Sequence, residues 1–187
     1  MWKFFTVWNV FRTFATENNY HNSELRYLRL LHRNFKGEIQ VGEIVCNRRI
    51  ATNLVEIFRQ LYEVRYPIER MVLIDEYDAD DNRSMTANNT SCFNFRFMTG
   101  STTRVSLHGK GLAIDINPLY NPYVSSRGNV SPAKGKPYAI RTKGRHKALD
   151  NIIIRRGDLC HRLFTNHGFS WGGAWSKIKD YQHFEKR

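Results

Sequence analysis

The stretch Ser106-Leu107-His108-Gly109-Lys110-Gly111-Leu112-Ala113-Ile114-Asp115-Ile116 decides how this chain is read. Its second half, Gly111 to Ile116, has the character of a short strand, and Asn117-Pro118 stops it because Pro cannot donate to a ladder. An Asp set among Ala113, Ile114 and Ile116 is out of place there. A buried carboxylate is costly unless it is paired or binds a metal. His108 precedes a Gly-containing turn, so His108 and Asp115 can meet across it as one nitrogen and one oxygen donor, a pair that zinc accepts. Gly109 and Gly111 are read as turn punctuation.

Working outward, the second informative stretch is the end of the chain, from Trp171-Gly172-Gly173 to Asp180-Tyr181-Gln182-His183-Phe184-Glu185. Asp180 and His183 are three positions apart, and in a regular strand their side chains would face opposite ways. A turn ending at Tyr181 would let both point to one centre. His183 would then complete a His, Asp, His set with a fourth position open to water, which distinguishes catalytic from structural zinc sites. Spacing alone leaves the alternative of a hydrogen-bonded His–Asp pair without a metal.

Around these stretches the elements are few. Ser23 to Phe35 carries Leu25, Leu28, Leu31 and Phe35 at helical spacing and reads as an amphipathic helix. Ile50 to Val64 repeats the pattern through Leu54, Ile57, Phe58 and Leu61, with Pro67 beyond its end. Arg70 to Tyr77 reads as a strand feeding the acidic turn Asp78 to Asn82. Cys92 to Met98 reads as a half-buried strand, and Tyr181 to Glu185 alternates in the same way. Asp158 to His167 reads as a helix capped by Asp158 and closed by Gly168. Several helices, few strands and no βαβ rhythm predict an α+β fold, a small antiparallel sheet with flanking helices. Residues 1–35 are read as a helical N-terminal extension, including a degraded leader, and residues 36–187 as the functional domain.

The chain has 187 residues and a formal net charge of +12, so an anionic partner is expected. Between Arg127 and Arg156 nine Lys or Arg stand against one acid, Asp150, and this segment reads as an excursion from the core. Charge alone fits nucleic acid, an acidic membrane surface or an anionic polymer. No interleaved aromatic and basic pattern is found, and nucleic acid is not expected. Cys46, Cys92 and Cys160 suggest no disulfide framework, and which of them pair, if any, stays open. Neither an 18-residue apolar run nor HExxH, a Walker loop or GxSxG is present.

The motifs at 106–115, 171–173 and 180–183 resemble the M15 zinc peptidases. These are the D-Ala-D-Ala carboxypeptidase and L-alanyl-D-glutamate endopeptidase family, with its VanX and VanY types and phage endolysins. The resemblance runs from Gly42 to Glu185, with Asn88 to Arg96 similar to the family's stretch before the first ligand. It implies a Hedgehog/DD-peptidase-like fold, Zn²⁺ held by His108, Asp115 and His183, Asp180 as catalytic base and Arg96 as electrophilic helper. Ser91, Ser106, Trp171 and Trp175 are its substrate-binding candidates, although both Trp residues can equally be packing. Leu107 stands where many relatives carry Glu, which removes a rim contact. An Asp at position 180 is similar to the endopeptidase and lysin branch. The implied function is hydrolysis of peptidoglycan stem peptides by an exported envelope enzyme or a phage-derived lysin, with residues 127–156 docking on anionic wall polymers. A non-catalytic zinc-containing wall-binding module of the same fold is the alternative.

Overall fold

The computed structural model describes residues 6–9, 22–98 and 101–187. Strands β1 (Thr6–Asn9), β2 (Leu25–Arg33) and β3 (Ile39–Asn47) form an antiparallel sheet in that order. Helix α1 (Arg48–Glu63) leaves β3 directly and packs against β2. After the short helix α2 (Asp81–Thr86) come β4 (Ala113–Asp115), β5 (Tyr123–Val124) and β6 (Val130–Ser131). The chain finishes with α3 (Leu159–Asn166), β7 (Ser170–Trp171), β8 (Lys179–Asp180) and β9 (His183–Glu185). A second sheet has the order β4-β9-β7 and a third the order β6-β5-β8, both antiparallel. This is an α+β, DD-peptidase-like architecture, with small antiparallel sheets and flanking helices. Among the described residues no helix is long and apolar enough to cross a membrane.

The helix expected over Ser23–Phe35 is instead strand β2. Leu25, Leu28 and Leu31 suggest helical spacing, but the residues actually buried are Leu25, Leu28, Leu30 and His32. From Leu28 onward that is period two, the periodicity of a strand with one face inward. His32 also takes part in this core, with its Nδ1 2.8 Å from the Ile68 carbonyl, and is not a surface residue. All nine positions of β2 pair with β3, so residues 25–33 are part of the folded sheet and not of a helical extension. Most of the leader-like N-terminus lies outside the described residues.

Helix α1 forms where its stripe of Ile50, Leu54, Ile57, Phe58 and Leu61 predicts, and Asn47 caps it by accepting from the Arg49 amide. Asp158 caps α3 in the same manner, accepting from the His161 amide at 2.9 Å.

Two strands expected from the sequence are absent. In Arg70–Tyr77, the backbone of Val72 is satisfied by the side chain of Asn89, which accepts from its N–H at 2.9 Å and donates to its carbonyl at 3.0 Å. A buried amide takes the place of a neighbouring strand, and residues 74–77 close into a 3-10 turn. In Cys92–Met98 the expected burial of an apolar face is not found, since Cys92 and the polar Asn94 are buried while Phe97 is exposed. Its backbone bonds in turn to Val45 and His108, and Phe97 bridges to Val105, so no ladder develops.

The core lies between α1, α3 and the β4-β9-β7 sheet. Phe164 of α3 stacks on Phe184 of β9 with ring centroids 4.3 Å apart. Ile114, Phe58 and Cys160 are buried in the same cluster. The basic segment 127–156 is mostly exposed but is not simply an excursion. Arg141 reaches inward and donates to the carbonyls of Tyr120, Tyr138 and Ile154 and to Asn121 Oδ1, tying the segment to the core.

Candidate metal centre

Alternation along two paired strands builds the centre. On β4, Ile114 faces the core, and Asp115 faces the other way. On β9, Phe184 faces the core, and His183 and Glu185 face the other way. The register sets Asp115 directly opposite His183. Opposed residues of an antiparallel pair have Cβ atoms about 5 Å apart, close enough for side chains to share one ligand.

His108 arrives from the 3-10 turn His108–Lys110 that precedes β4. That turn is closed by Gly111 at φ +65°, where a Cβ would come within 2.7 Å of the Asn47 amide nitrogen. The Asn47 amide donates to the Gly111 carbonyl at 2.8 Å, so the cap of α1 also anchors the His108 turn. Gly111 is therefore more than punctuation: it allows helix and ligand loop to meet backbone to backbone.

The donor atoms converge. One atom each from His108, Asp115 and His183 lie within 4.8 Å of one another, all buried. His108 Nε2 is 3.3 Å from Asp115 Oδ2 and 3.1 Å from His183 Nδ1, and His183 Nδ1 is 3.2 Å from Asp115 Oδ1. The outward nitrogens are both engaged. His108 Nδ1 donates to the Cys92 carbonyl at 2.8 Å, and His183 Nε2 lies 3.2 Å from Glu185 Oε2. A carbonyl can only accept, so the His108 proton sits on Nδ1 and its Nε2 lone pair points inward. With His183 neutral and its proton on Nε2, two lone pairs and a carboxylate would face one another, an arrangement that a metal cation between them satisfies and that a proton on His183 Nδ1, shared with Asp115, satisfies without one. Nitrogen and carboxylate donors with outward partners are what a zinc site uses, and the three residues form a cluster able to hold a metal ion.

Electrostatics agree with that geometry. Burial would raise the Asp115 carboxyl, but His108 and His183 outweigh burial and hold it well below the usual carboxylate range. Burial would lower His183, but its hydrogen bonds to Asp115 and Glu185 carry it up to about 10.

Asp180 comes from a different sheet. Strand β8 pairs with β5, and the chain bends at Tyr181 and Gln182 before entering β9, so Asp180 and His183 face the same cleft despite their spacing. Asp180 Oδ1 is buried without a hydrogen-bond partner. Burial first, then the charge of Asp115, push its carboxyl up to about 6 against the pull of His183 and His108. Gly172 permits the approach, since a Cβ there would lie 2.7 Å from the Asp180 carbonyl oxygen and 3.2 Å from His183 Cβ.

The metal-ligand candidates and Asp180 line a cleft of about 1100 Å³. Arg96 and Trp175 line it as well, with the Trp175 ring centroid 5.3 Å from that of His183. The Arg96 guanidinium is paired with Asp81, from the acidic turn that follows residue 77. The other three substrate-binding candidates do not line the cleft. Ser91 exchanges backbone hydrogen bonds with Asp115, Ser106 Oγ accepts from the Gly109 amide at 2.9 Å, and Trp171 is buried with its indole N–H on the Tyr181 carbonyl. Glu185 and Asp81 are the site residues that sequence reasoning missed. For Glu185 the signal was present, because alternation in His183-Phe184-Glu185 puts it on the ligand face.

Residues 99–186 match a peptidase M15 family model described as D-alanyl-D-alanine carboxypeptidase. No curated protein and no solved structure gives a significant match to the chain. The matched stretch starts after Arg96, so it does not carry the resemblance drawn for residues 42–98. It does contain His108, Asp115, Asp180, His183 and Glu185, so the match to the M15 family model spans the whole His-Asp-His cluster able to hold a metal ion.

Proposed function

We propose that the chain is a zinc metallopeptidase that hydrolyses peptide bonds in peptidoglycan stem peptides, of the D-Ala-D-Ala carboxypeptidase or L-Ala-D-Glu endopeptidase type. The observation that carries this is the buried, unpartnered Asp180 carboxylate oxygen beside three convergent metal donors. A buried carboxylate oxygen left without a partner costs stability, and a purely structural metal site has no use for one.

His108, Asp115 and His183 would hold the ion. When bound, zinc supplies Lewis acidity and lowers the pKa of a water toward about 7. Asp180 takes the proton from the attacking water and delivers it to the departing amine, a task suited to a carboxylate raised toward neutrality. Arg96, on the cleft wall, offers guanidinium hydrogen bonds to the oxyanion that develops on the scissile carbonyl. Asp81 holds Arg96 in place.

The charge of the cleft supports an anionic peptide. Arg49, Arg104 and Lys110 line it, and none of them makes an ion pair among the described residues. The acids of the cleft are all engaged or buried: Asp81 by Arg96, Asp115 by both histidines, Glu185 by His183 and Arg187, and Asp180 within the wall. Stem peptides carry free carboxylates that such a surface attracts. The exposed cations of segment 127–156 suit a second, weaker contact with anionic wall polymers. A substrate of this kind implies action in the cell envelope, by export or as a phage-derived lysin.

Metal content and the release of new amino termini from purified peptidoglycan test this reading, with wild type compared to Asp180→Ala. About one zinc in both proteins and activity in wild type alone supports it. Zinc in both with cleavage by neither gives the wall-binding module instead. Absence of zinc from both overturns the ligand set.

A further inference from the structure

His183 has two carboxylates to choose between. Asp115 Oδ1 lies 3.2 Å from its Nδ1, and Glu185 Oε2 lies 3.2 Å from its Nε2. A neutral imidazole, the form that binds a metal, has one proton. Placed on Nδ1 and donated to Asp115, it would leave the ring an ordinary His–Asp pair and would block the inward lone pair. Placed on Nε2 and donated to Glu185, it frees Nδ1 to join His108 and Asp115 as a donor.

We infer that Glu185 is the positioning residue of the metal centre, holding the His183 proton on Nε2 so that Nδ1 faces the ion. Three observations carry this beyond proximity. Glu185 is two residues from His183 on β9, so strand alternation fixes both side chains on one face. Its carboxylate is nearly buried, with an 11 % exposed side chain, and both oxygens are engaged: Oε2 by His183 and Oε1 by Arg187 at 3.1 Å. It is not one of the three converging donors and lies on the far side of the ring, so its part is to orient and not to ligate. Arg187 steadies the carboxylate from the solvent side. His108 obtains the equivalent service from the Cys92 carbonyl, which can only accept. The two histidines are thus set by two different acceptors, one backbone and one side chain.

The inference rests on the metal-centre reading, and two measurements on the full chain separate them. The first is zinc affinity by chelator competition for wild type, Glu185→Gln and Glu185→Ala. Removing the outer partner of a metal-bound histidine costs about 10- to 100-fold in affinity, so Glu185→Ala is expected to lose that much. Glu185→Gln keeps an amide oxygen to accept from Nε2 and is expected to lose less than about fivefold, a small part of that range. The second is the downfield imidazole N–H resonance of His183 Nε2 in the metal-free chain. It is expected in wild type and Glu185→Gln, and it should vanish into solvent exchange in Glu185→Ala. A Glu185→Ala protein that keeps both the resonance and wild-type affinity overturns the inference. So does a Glu185→Gln protein as weak as Glu185→Ala, because charge and not orientation would then be responsible. If wild type shows the resonance, lost in Glu185→Ala, yet binds no zinc, the positioning contact stands and the metal reading falls.

Discussion

Asp115 and His183 stand directly opposite each other on adjacent antiparallel strands, with Oδ1 and Nδ1 3.2 Å apart and both side chains buried. In the metal-free chain this is a buried ion pair. Removing one member leaves the other as an uncompensated charge, which costs about 3–5 kcal/mol. Asp115→Asn is therefore expected to lower the urea-unfolding free energy of the metal-free protein by about 3 kcal/mol at neutral pH. It should also abolish high-affinity zinc binding. A variant of wild-type stability would mean that the pair is not formed in solution.

The same pair sets a pH dependence whose sign changes with metal. His183 is raised to about 10 in the metal-free fold, chiefly because the hydrogen bonds to Asp115 and Glu185 overcome burial. A histidine whose folded pKa is above its unfolded one, about 6.5, contributes stability below that unfolded value. The contribution is lost as pH rises toward about 10. Metal-free protein should accordingly lose stability on going from pH 7 to pH 10. Zinc needs the inward lone pair and expels the proton, so its affinity should rise across the same window, and calorimetry in buffers of different ionisation enthalpy should detect proton release. Zinc uptake without proton release would show that His183 is already neutral.

Gly172→Ala separates metal binding from catalysis. The added Cβ would meet the Asp180 carbonyl oxygen at 2.7 Å and Asp180 Cβ at 2.8 Å, contacts that the backbone can relieve only by shifting Asp180. A displacement of about 1 Å in a catalytic group can cost about a hundredfold in rate. Peptidase activity should fall by roughly that factor while about one zinc per chain is retained. Equal loss of zinc and activity would place the damage at His183, whose Cβ is also near at 3.2 Å.

Much of this site was legible in the sequence. The Asp among Ala113, Ile114 and Ile116 signalled a buried carboxylate, and the Asp180–His183 spacing required the bend that the structure has at Tyr181 and Gln182. Helices α1 and α3 also followed from their apolar stripes, whereas α2 lies where only an acidic turn was read. Reading failed where tertiary partners override local pattern. Leu25, Leu28 and Leu31 fit a helix, but pairing with β3 selected the strand face through Leu28, Leu30 and His32. Val72 looked like a strand residue because a sequence does not show that Asn89 will stand in for its neighbour. Ser91 and Ser106 belong to the right motifs, yet neither lines the cleft, and the bonds they make are a backbone pair with Asp115 and a turn bond from the Gly109 amide. Motif membership does not tell which way a side chain points.

The basic segment offers the last test, because the cation at its centre is structural. Arg141 donates from Nη1 to the carbonyls of Tyr120 and Tyr138, at 2.8 and 3.0 Å. From Nη2 it donates to Asn121 Oδ1 and the Ile154 carbonyl, at 2.6 and 2.7 Å. Its guanidinium also lies 4.4 Å from the centroid of the Tyr181 ring. Arg141→Met keeps most of the side-chain length but strands these acceptors, and each hydrogen bond to a charged group contributes about 1.5–3 kcal/mol. Water can reach part of the exposed segment and recover some of that, so the expected loss is about 3 kcal/mol in urea unfolding. The metal ligands are on other elements, and zinc affinity should stay within roughly threefold of wild type. Lys143→Ala and Lys147→Ala, both exposed, should leave stability unchanged and weaken salt-sensitive binding to anionic wall polymer. If Arg141→Met is as stable as wild type, segment 127–156 is not anchored through this side chain, and the polymer contact would have to be made by a loosely held loop.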